Sequence, residues 1–528
     1  MKKLRELTYE ELSCEQRLGM CLIAQNWWGG DRVDYIVELI KKHSLGGVWI
    51  NPQIPDLEET MRKIKEAADY PVLIFTDAES GIGEYKIGKH NAVGCTDSEE
   101  LAYTFGKVTA IKARKMGYSV VCSPLLDMVD TNWACGGTVR SLGSDKHTVT
   151  RLASAIARGM HDGGILTVGK HYPGQVESGR EIDAHMAENV SYKTKEELLE
   201  YNIYPYVQLN RAGLLDGIMT AHSRCVKIDP DYPASLSKKC NDVIRDEGFD
   251  GFSITDGLSM MGIVSKFGKV DPIGMAIRGG NDLALATFDD NRHNYSSMLA
   301  GYEKGFITEE RLEEAVRRVL KAQHKSLEEP KFTEITADDL EKFERINSDS
   351  IFEKIDDGIS RLDRNGKYLF VIMTESKLDL EDRGKISVDT FVSTWFNPFD
   401  IADKVSSLYP NAKITTISEY PSPNDNHLTL DLARESDGVV FITSFNTSSY
   451  VGVECYSSRI ISLMKAMQVT DSIKAIAHFG NPFILEDAPH VPHLVIGCCS
   501  AKSVSYGLDV LAGDYPAKGK MTYDVKFK

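Results

Sequence analysis

Between Met20 and Leu285, short apolar runs alternate eight times with longer amphipathic stretches, and this alternation constrains the fold more than any other feature of the chain. Short, near-continuous apolar runs suit strands buried on both faces of a parallel sheet. The candidate strands are Met20–Ala24, Gly47–Ile50, Val72–Thr76, Val120–Ser123, Ile165–Val168, Gly217–Thr220, Phe252–Thr255 and Asp282–Leu285. Between them, stretches such as Arg32–Lys42, Ser98–Met116 and Lys146–Met160 carry apolar residues at helical spacing. Eight such units predict a closed (β/α)8 barrel, the fold that typically takes about 250 residues plus insertions. The competing doubly wound open sheet would place Gly-x-Gly-x-x-Gly after the first strand, and that motif is absent.

A chain of 528 residues is too long for one ordinary core, so residues 1–325 are assigned to the barrel. Residues 326–366, rich in Glu, Lys and Asp, read as a linker with exposed helices. From 367 to 528 a second set of strands, Tyr368–Met373, Ile414–Ile417, Gly438–Thr443, Ile473–Ala477 and His493–Ile496, again alternates with helices and predicts a smaller α/β sandwich domain. The net charge of -16 argues against nonspecific nucleic-acid binding and against anionic membrane surfaces. No apolar run approaches the roughly 20 residues of a membrane span. The start, Met1 to Leu7, lacks the apolar core of a secretory signal, so a cytoplasmic location is expected. Ten cysteines without any Cys-x-x-Cys read as reduced, buried thiols, with no metal site and no cofactor.

In a barrel of this kind, chemistry collects where the strands end at their carboxyl side. The strand ends carry Trp27-Trp28, Asn51, Asp77-Ala78-Glu79-Ser80-Gly81, Asp127, Lys170-His171, Ala221-His222-Ser223 and Asp256-Gly257. Asp256 could serve as a nucleophilic carboxylate held by a rigid strand, but the residue alone favours an Asp-Gly turn or helix cap, which is common at strand ends. Asp183 and His185 suit an oriented general acid and base if their loop folds back, or else a solvated loop. Lys170, His171 and Arg140 offer donors to sugar hydroxyls or a carboxylate, and Asp77 offers a hydroxyl acceptor. His222 belongs at the rim or beneath it, and Met260 fits core packing or a pocket wall.

In order along the chain, Asp77-Ala78-Glu79-Ser80-Gly81, Arg140-Ser141-Leu142-Gly143-Ser144-Asp145, Lys170-His171-Tyr172-Pro173-Gly174, Asp183-Ala184-His185, Met219-Thr220-Ala221-His222 and Ile254-Thr255-Asp256-Gly257-Leu258-Ser259-Met260 resemble glycoside hydrolase family 3, in its β-N-acetylhexosaminidase (NagZ-like) branch. The resemblance implies a retaining exo-glycosidase acting on short saccharides such as cell-wall fragments or chitin oligomers, without a cofactor. It implies Asp256 as nucleophile, His185 as general acid and base, Asp183 as its orienting partner, and Asp77, Arg140, Lys170 and His171 as substrate-binding positions, to which the reading of the strand ends adds Met260 and His222 as candidates. A phosphorylase or a β-glucosidase of the same family, and a catalytically silent sugar-binding scaffold, stand as alternatives. The second domain has packing, homodimerisation or a loan to the active site as its implied roles. The chain departs from the branch at Gln175-Val176, where His-Gly is usual, at Ser80, and at Gly257, where a second Asp is usual. Those changes put the walls of the sugar site in question more than the reacting groups.

Overall fold

The computed structural model describes residues 4–132, 137–174, 183–288, 290–383, 395–446, 449–450 and 452–528. The chain forms two compact units, one of Met1–Lys86, Ala102–Met128 and Asp145–Leu340, the other of Ile87–Leu101, Val129–Ser144 and Glu341–Lys528.

The first unit contains the expected barrel. Its strands are β1 (Leu22–Asn26), β2 (Gly47–Ile50), β3 (Leu73–Thr76), β4 (Val120–Val121), β5 (Leu166–Tyr172), β6 (Gly217–Thr220), β7 (Phe252–Thr255) and β8 (Ala284–Leu285). Each pairs in parallel with the next up to β7, β8 pairs with β1, and a bridge from Ile254 to Leu283 closes the circle between β7 and β8. Helices are started by side chains that satisfy otherwise orphaned N–H groups: Asp145 accepts from Thr148 N at 2.7 Å, and Thr308 accepts from Arg311 N at 3.2 Å. The barrel interior is apolar and aromatic, with Trp27 stacked on Trp49 at 5.9 Å, Trp49 on Phe75 at 6.2 Å, and Phe75 edge-on to Phe252 at 6.3 Å. A packed interior of this kind pushes polar side chains to the strand ends.

β5 differs from expectation in its length. It continues through Lys170 and His171 to Tyr172, because Leu126 N donates to Lys170 O at 2.8 Å on one side and Tyr172 pairs with Thr220 on the other. These polar residues therefore sit on the sheet itself rather than after it.

Asp282, just before β8, is completely buried and is held by Arg311, by Arg245 at 3.1 Å, by Arg318 at 3.3 Å and by the backbone N–H of Ser253 at 3.0 Å. Asp282→Ala would leave these buried cations without their shared counter-charge. We expect a loss of about 3–5 kcal/mol of stability, read as a lower midpoint in denaturant-induced unfolding, with Asp282→Asn only partly milder because the amide keeps shape but not charge.

In the second unit, β9 (Phe352–Ile355), β10 (Tyr368–Thr374), β11 (Lys413–Ser418), β12 (Gly438–Phe445), β13 (Ile473–Gly480) and β14 (His493–Gly497) form one sheet in the order β9-β14-β13-β12-β10-β11. All pairs are parallel except β9 with β14. Alternate residues feed two cores: Val371 and Phe441 lie in one, Phe370 and Ile442 in the other. Both faces are covered, which is why these strands read as unbroken apolar runs. The stretch 326–366 contributes the helix Ala337–Asp349 and the edge strand β9.

Nine cysteines among the described residues are free thiols. Most are buried, but Cys455 is exposed, which corrects the expectation that all lie in the core; the residue follows the apolar strand β12 in an irregular segment. Among the described residues no helix is long and apolar enough to cross a membrane, and no three His, Cys, Asp or Glu side chains are placed to hold a metal ion.

Candidate active site

The carboxyl ends of β3, β4, β5, β6 and β7 each deliver one part of a connected set of titratable groups. From β5, the Lys170 side chain, 2% exposed, reaches Asp77 Oδ1 at 2.5 Å and Glu79 Oε1 at 2.7 Å. Asp77 and Glu79 come from the turn after β3, closed by Gly81 N donating to Ala78 O at 2.9 Å. Glu79 is nearly buried, whereas the Asp77 carboxylate is 45% exposed and keeps acceptor capacity toward solvent or a ligand.

The next residue, His171, is oriented by Asp127 from the loop after β4. Asp127 Oδ2 lies 2.7 Å from His171 Nδ1, and the His171 backbone N–H donates to the same carboxylate at 3.3 Å. This fixes the ring so that its Nε2 stands 4.0 Å from Asp256 Oδ2.

Asp256 follows β7 directly. Its backbone N–H donates to Thr220 O at 2.9 Å, and its Oδ1 accepts from Gly257 N at 2.7 Å. Burial alone would raise its pKa, but the imidazoles of His171, His222 and His185 and the Gly257 N–H outweigh burial and hold the carboxyl at about 2. The carboxylate is thus kept ionised, yet its side chain remains 25% exposed. That combination suits attack on an electrophile.

A Cβ at Gly257 would lie 2.9 Å from Thr287 Oγ1, which also accepts from Ser259 N at 3.2 Å, so a larger residue there requires the Thr287 side chain to shift.

The Asp-x-His segment does fold back. Both the backbone N–H and the Nδ1 of His185 approach Asp183 Oδ1, at 2.8 and 2.9 Å, while Asp183 O accepts from Met186 N and Ala187 N. Asp183 is 1% exposed and His185 is 21% exposed. The turn is anchored by Met261 N donating to His185 O at 3.0 Å, at the first residue of the helix Met261–Phe267, and Gly262 packs against the carbonyls of Ala184 and Ala187. His185 is near enough to lower the Asp256 pKa.

The other expected residues divide. His222 is 1% exposed, and both ring nitrogens are used within the protein, by Ser235 Oγ at 2.8 Å and Gly257 O at 2.9 Å. It lies beneath the rim, with both ring nitrogens engaged by protein groups. Met260 is buried, and its carbonyl begins the following helix by accepting from Ile263 N and Val264 N. Arg140 stands on the short helix Gly137–Arg140 in the second unit. Gln175 and Val176 lie outside the described residues. Sequence reasoning placed Glu79 and Asp127 at strand ends but gave them no role; each proves to be the fixed partner of a neighbouring base.

Residues 16–322 match the model of the glycosyl hydrolase family 3 N-terminal domain. A β-hexosaminidase of Tolumonas auensis is 29% identical over 282 residues, covering 50% of this chain and 82% of that protein. The structure of a family 3 β-N-acetylglucosaminidase from Paenibacillus sp. superposes with a TM-score of 0.80 at 22% identity, covering 98% of this chain and 100% of the other. A β-glucoside phosphorylase, BglX, superposes with the same TM-score and identity over 99% of this chain and 98% of its own. At 22% identity these superpositions establish a shared fold.

Proposed function

The chain belongs to glycosyl hydrolase family 3, a family of carbohydrate-active enzymes, and from that premise we propose that it is a retaining, exo-acting β-N-acetylhexosaminidase of short saccharides. The observation that carries the proposal is the pairing of an ionised Asp256 with an imidazole, His185, oriented by a buried carboxylate. The similarity to a β-hexosaminidase supports the choice of sugar.

In the proposed reaction, protonated His185 gives its proton through Nε2 to the departing oxygen while Asp256 attacks the anomeric carbon. The bond to the leaving group breaks as an ester to Asp256 forms, through an oxocarbenium-like state. Neutral His185 then takes a proton from water, whose oxygen displaces Asp256 and restores its carboxylate. Asp183 keeps the ring in one tautomer through Nδ1 and stabilises the imidazolium. Asp77 accepts sugar hydroxyls and His171 flanks the reacting carbon.

A phosphorylase is the second reading. The proton-transfer group is an imidazole, which when neutral does not repel a phosphate dianion as a carboxylate would, and a β-glucoside phosphorylase shares the fold.

A panel of chromogenic β-glycosides assayed with and without phosphate tests both readings. We expect turnover of the N-acetylglucosaminide to exceed that of glucoside and xyloside at least about tenfold, the size of effect that one lost group in a sugar site commonly produces. Turnover of glucoside alone would contradict the sugar assignment, and sugar 1-phosphate as the main product would replace hydrolysis by phosphorolysis.

A further inference from the structure

Behind Asp256 runs a closed circuit of buried hydrogen bonds that the reaction above leaves unused. The Asp256 backbone N–H donates to Thr220 O at 2.9 Å, and the Thr220 hydroxyl donates to Asn281 Oδ1 at 2.8 Å. Asn281 Nδ2 donates to Ser235 O at 2.7 Å. Ser235 Oγ lies 2.8 Å from His222 Nδ1, His222 Nε2 lies 2.9 Å from Gly257 O, and Gly257 N donates back to Asp256 Oδ1 at 2.7 Å. Thr220, Asn281 and Ser235 are each 0% exposed.

The direction of the circuit follows from donor chemistry. A carbonyl can only accept, so His222 Nε2 carries the hydrogen toward Gly257 O; in the neutral ring Nδ1 is then the acceptor, and the Ser235 hydroxyl must donate to it. Burial favours that neutral form and lowers the His222 pKa, against the pull of Asp256 and together with the push of His185 and His171, the ionisable groups that face it.

We propose that His222 is a positioning residue for the nucleophile: its Nε2–H, set by Ser235, holds the Gly257 carbonyl and so restrains residue 257, whose N–H in the preceding peptide engages Asp256 Oδ1 and leaves Oδ2 as the attacking oxygen. Oδ2 is the oxygen that faces His171 Nε2, at 4.0 Å. The parts come from the ends of β6 and β7, from the single helical turn that carries Ser235 and from the segment before β8 that carries Asn281, and a side chain at 257 would meet Thr287 Oγ1 at 2.9 Å. This proposal rests on the reading of Asp256 as nucleophile.

The test compares His222→Phe, His222→Gln and Ser235→Ala on one activated aryl β-glycoside and one alkyl β-glycoside of the sugar that the wild type prefers, with the rate of covalent trapping by the matching 5-fluoro glycosyl fluoride as the second readout. A misaimed nucleophile costs about 10²-fold, so His222→Phe is expected to lower kcat and the trapping rate by that factor, equally for both leaving groups and with KM within about threefold. His222→Gln, which keeps an N–H donor of similar reach, should recover to within about tenfold of wild type, and Ser235→Ala should lose about three- to tenfold through the freed tautomer.

Equal losses in His222→Phe and His222→Gln, a loss confined to KM, or a loss confined to the alkyl substrate would overturn the assignment. If His222→Phe does not fold, Ser235→Ala decides: an unchanged trapping rate overturns the proposal and a reduced one with unchanged KM supports it. Failure of the underlying reading is separately visible, because the wild type would then form no adduct on Asp256 at all.

Discussion

Asp256→Ala is expected to remove turnover, with kcat reduced by on the order of 10⁴-fold or more, because the proposed mechanism routes the covalent intermediate through this carboxylate. The effect is largest here because the protein commits several elements to this one carboxylate. β7 fixes its backbone, Gly257 N–H fixes one oxygen, and the surrounding imidazoles, His171 foremost, lower its pKa. The sign of the electrostatics matters for the wild type. Its pKa in the folded protein, about 2, lies below the ordinary 3.8, so the stabilisation that this shift adds is fully present above that ordinary value and is lost as pH falls toward 2. On the proposed mechanism Asp256 therefore does not set the acid limit of activity at moderately low pH. Azide added to Asp256→Gly should give the α-glycosyl azide from a β-glycoside, since a small anion entering the vacated face inverts the centre once; kinetics and product configuration by NMR check both claims.

His185→Ala has the next largest expected effect, and its size depends on the leaving group. With an alkyl or sugar leaving group, kcat/KM falls by about 10²–10⁴-fold, the usual worth of a positioned general acid. With a dinitrophenyl leaving group, which departs without protonation, kcat/KM changes little and kcat falls because the ester on Asp256 is no longer hydrolysed with base assistance. Azide should then accelerate turnover and give the β-glycosyl azide, the opposite configuration from the Asp256 variant. Asp183→Ala should follow the same leaving-group pattern more weakly, since the imidazole remains but loses the carboxylate that fixes it at 2.9 Å. A loss of equal size for every leaving group would place His185 outside proton transfer.

The barrel was legible because strands buried on both faces leave unbroken apolar runs, and all eight runs fall on observed strands. Their ends were less legible. β5 runs on through Lys170, His171 and Tyr172 because neighbouring strands satisfy its backbone, a tertiary effect that side-chain polarity conceals. β9, Phe-Glu-Lys-Ile, has two charged residues in four and pairs only at a sheet edge, so nothing in its pattern separates it from a charged connection.

For the site, residue types at strand ends marked candidate positions but not the partnerships among them. Asp127 and His171 are 44 residues apart and meet only through closure of the β4 and β5 ends. Asp183 and His185 are two apart, and their pairing depended on a turn that the spacing allowed without requiring; the docking of His185 O on Met261 N supplies the missing constraint. For His222 the sequence left open the rim or a place beneath it; the ring lies beneath, because Ser235 and Gly257 offer it both a donor and an acceptor.

Mass spectrometry of the protein after reaction with a 5-fluoro glycosyl fluoride of the preferred sugar tests the central claim most directly. The account predicts one covalent glycosyl group per chain, located on the peptide that contains Asp256, released on incubation in buffer and absent in Asp256→Ala. An adduct on another residue, or release of the α-configured sugar from a β-glycoside without any adduct, would contradict it.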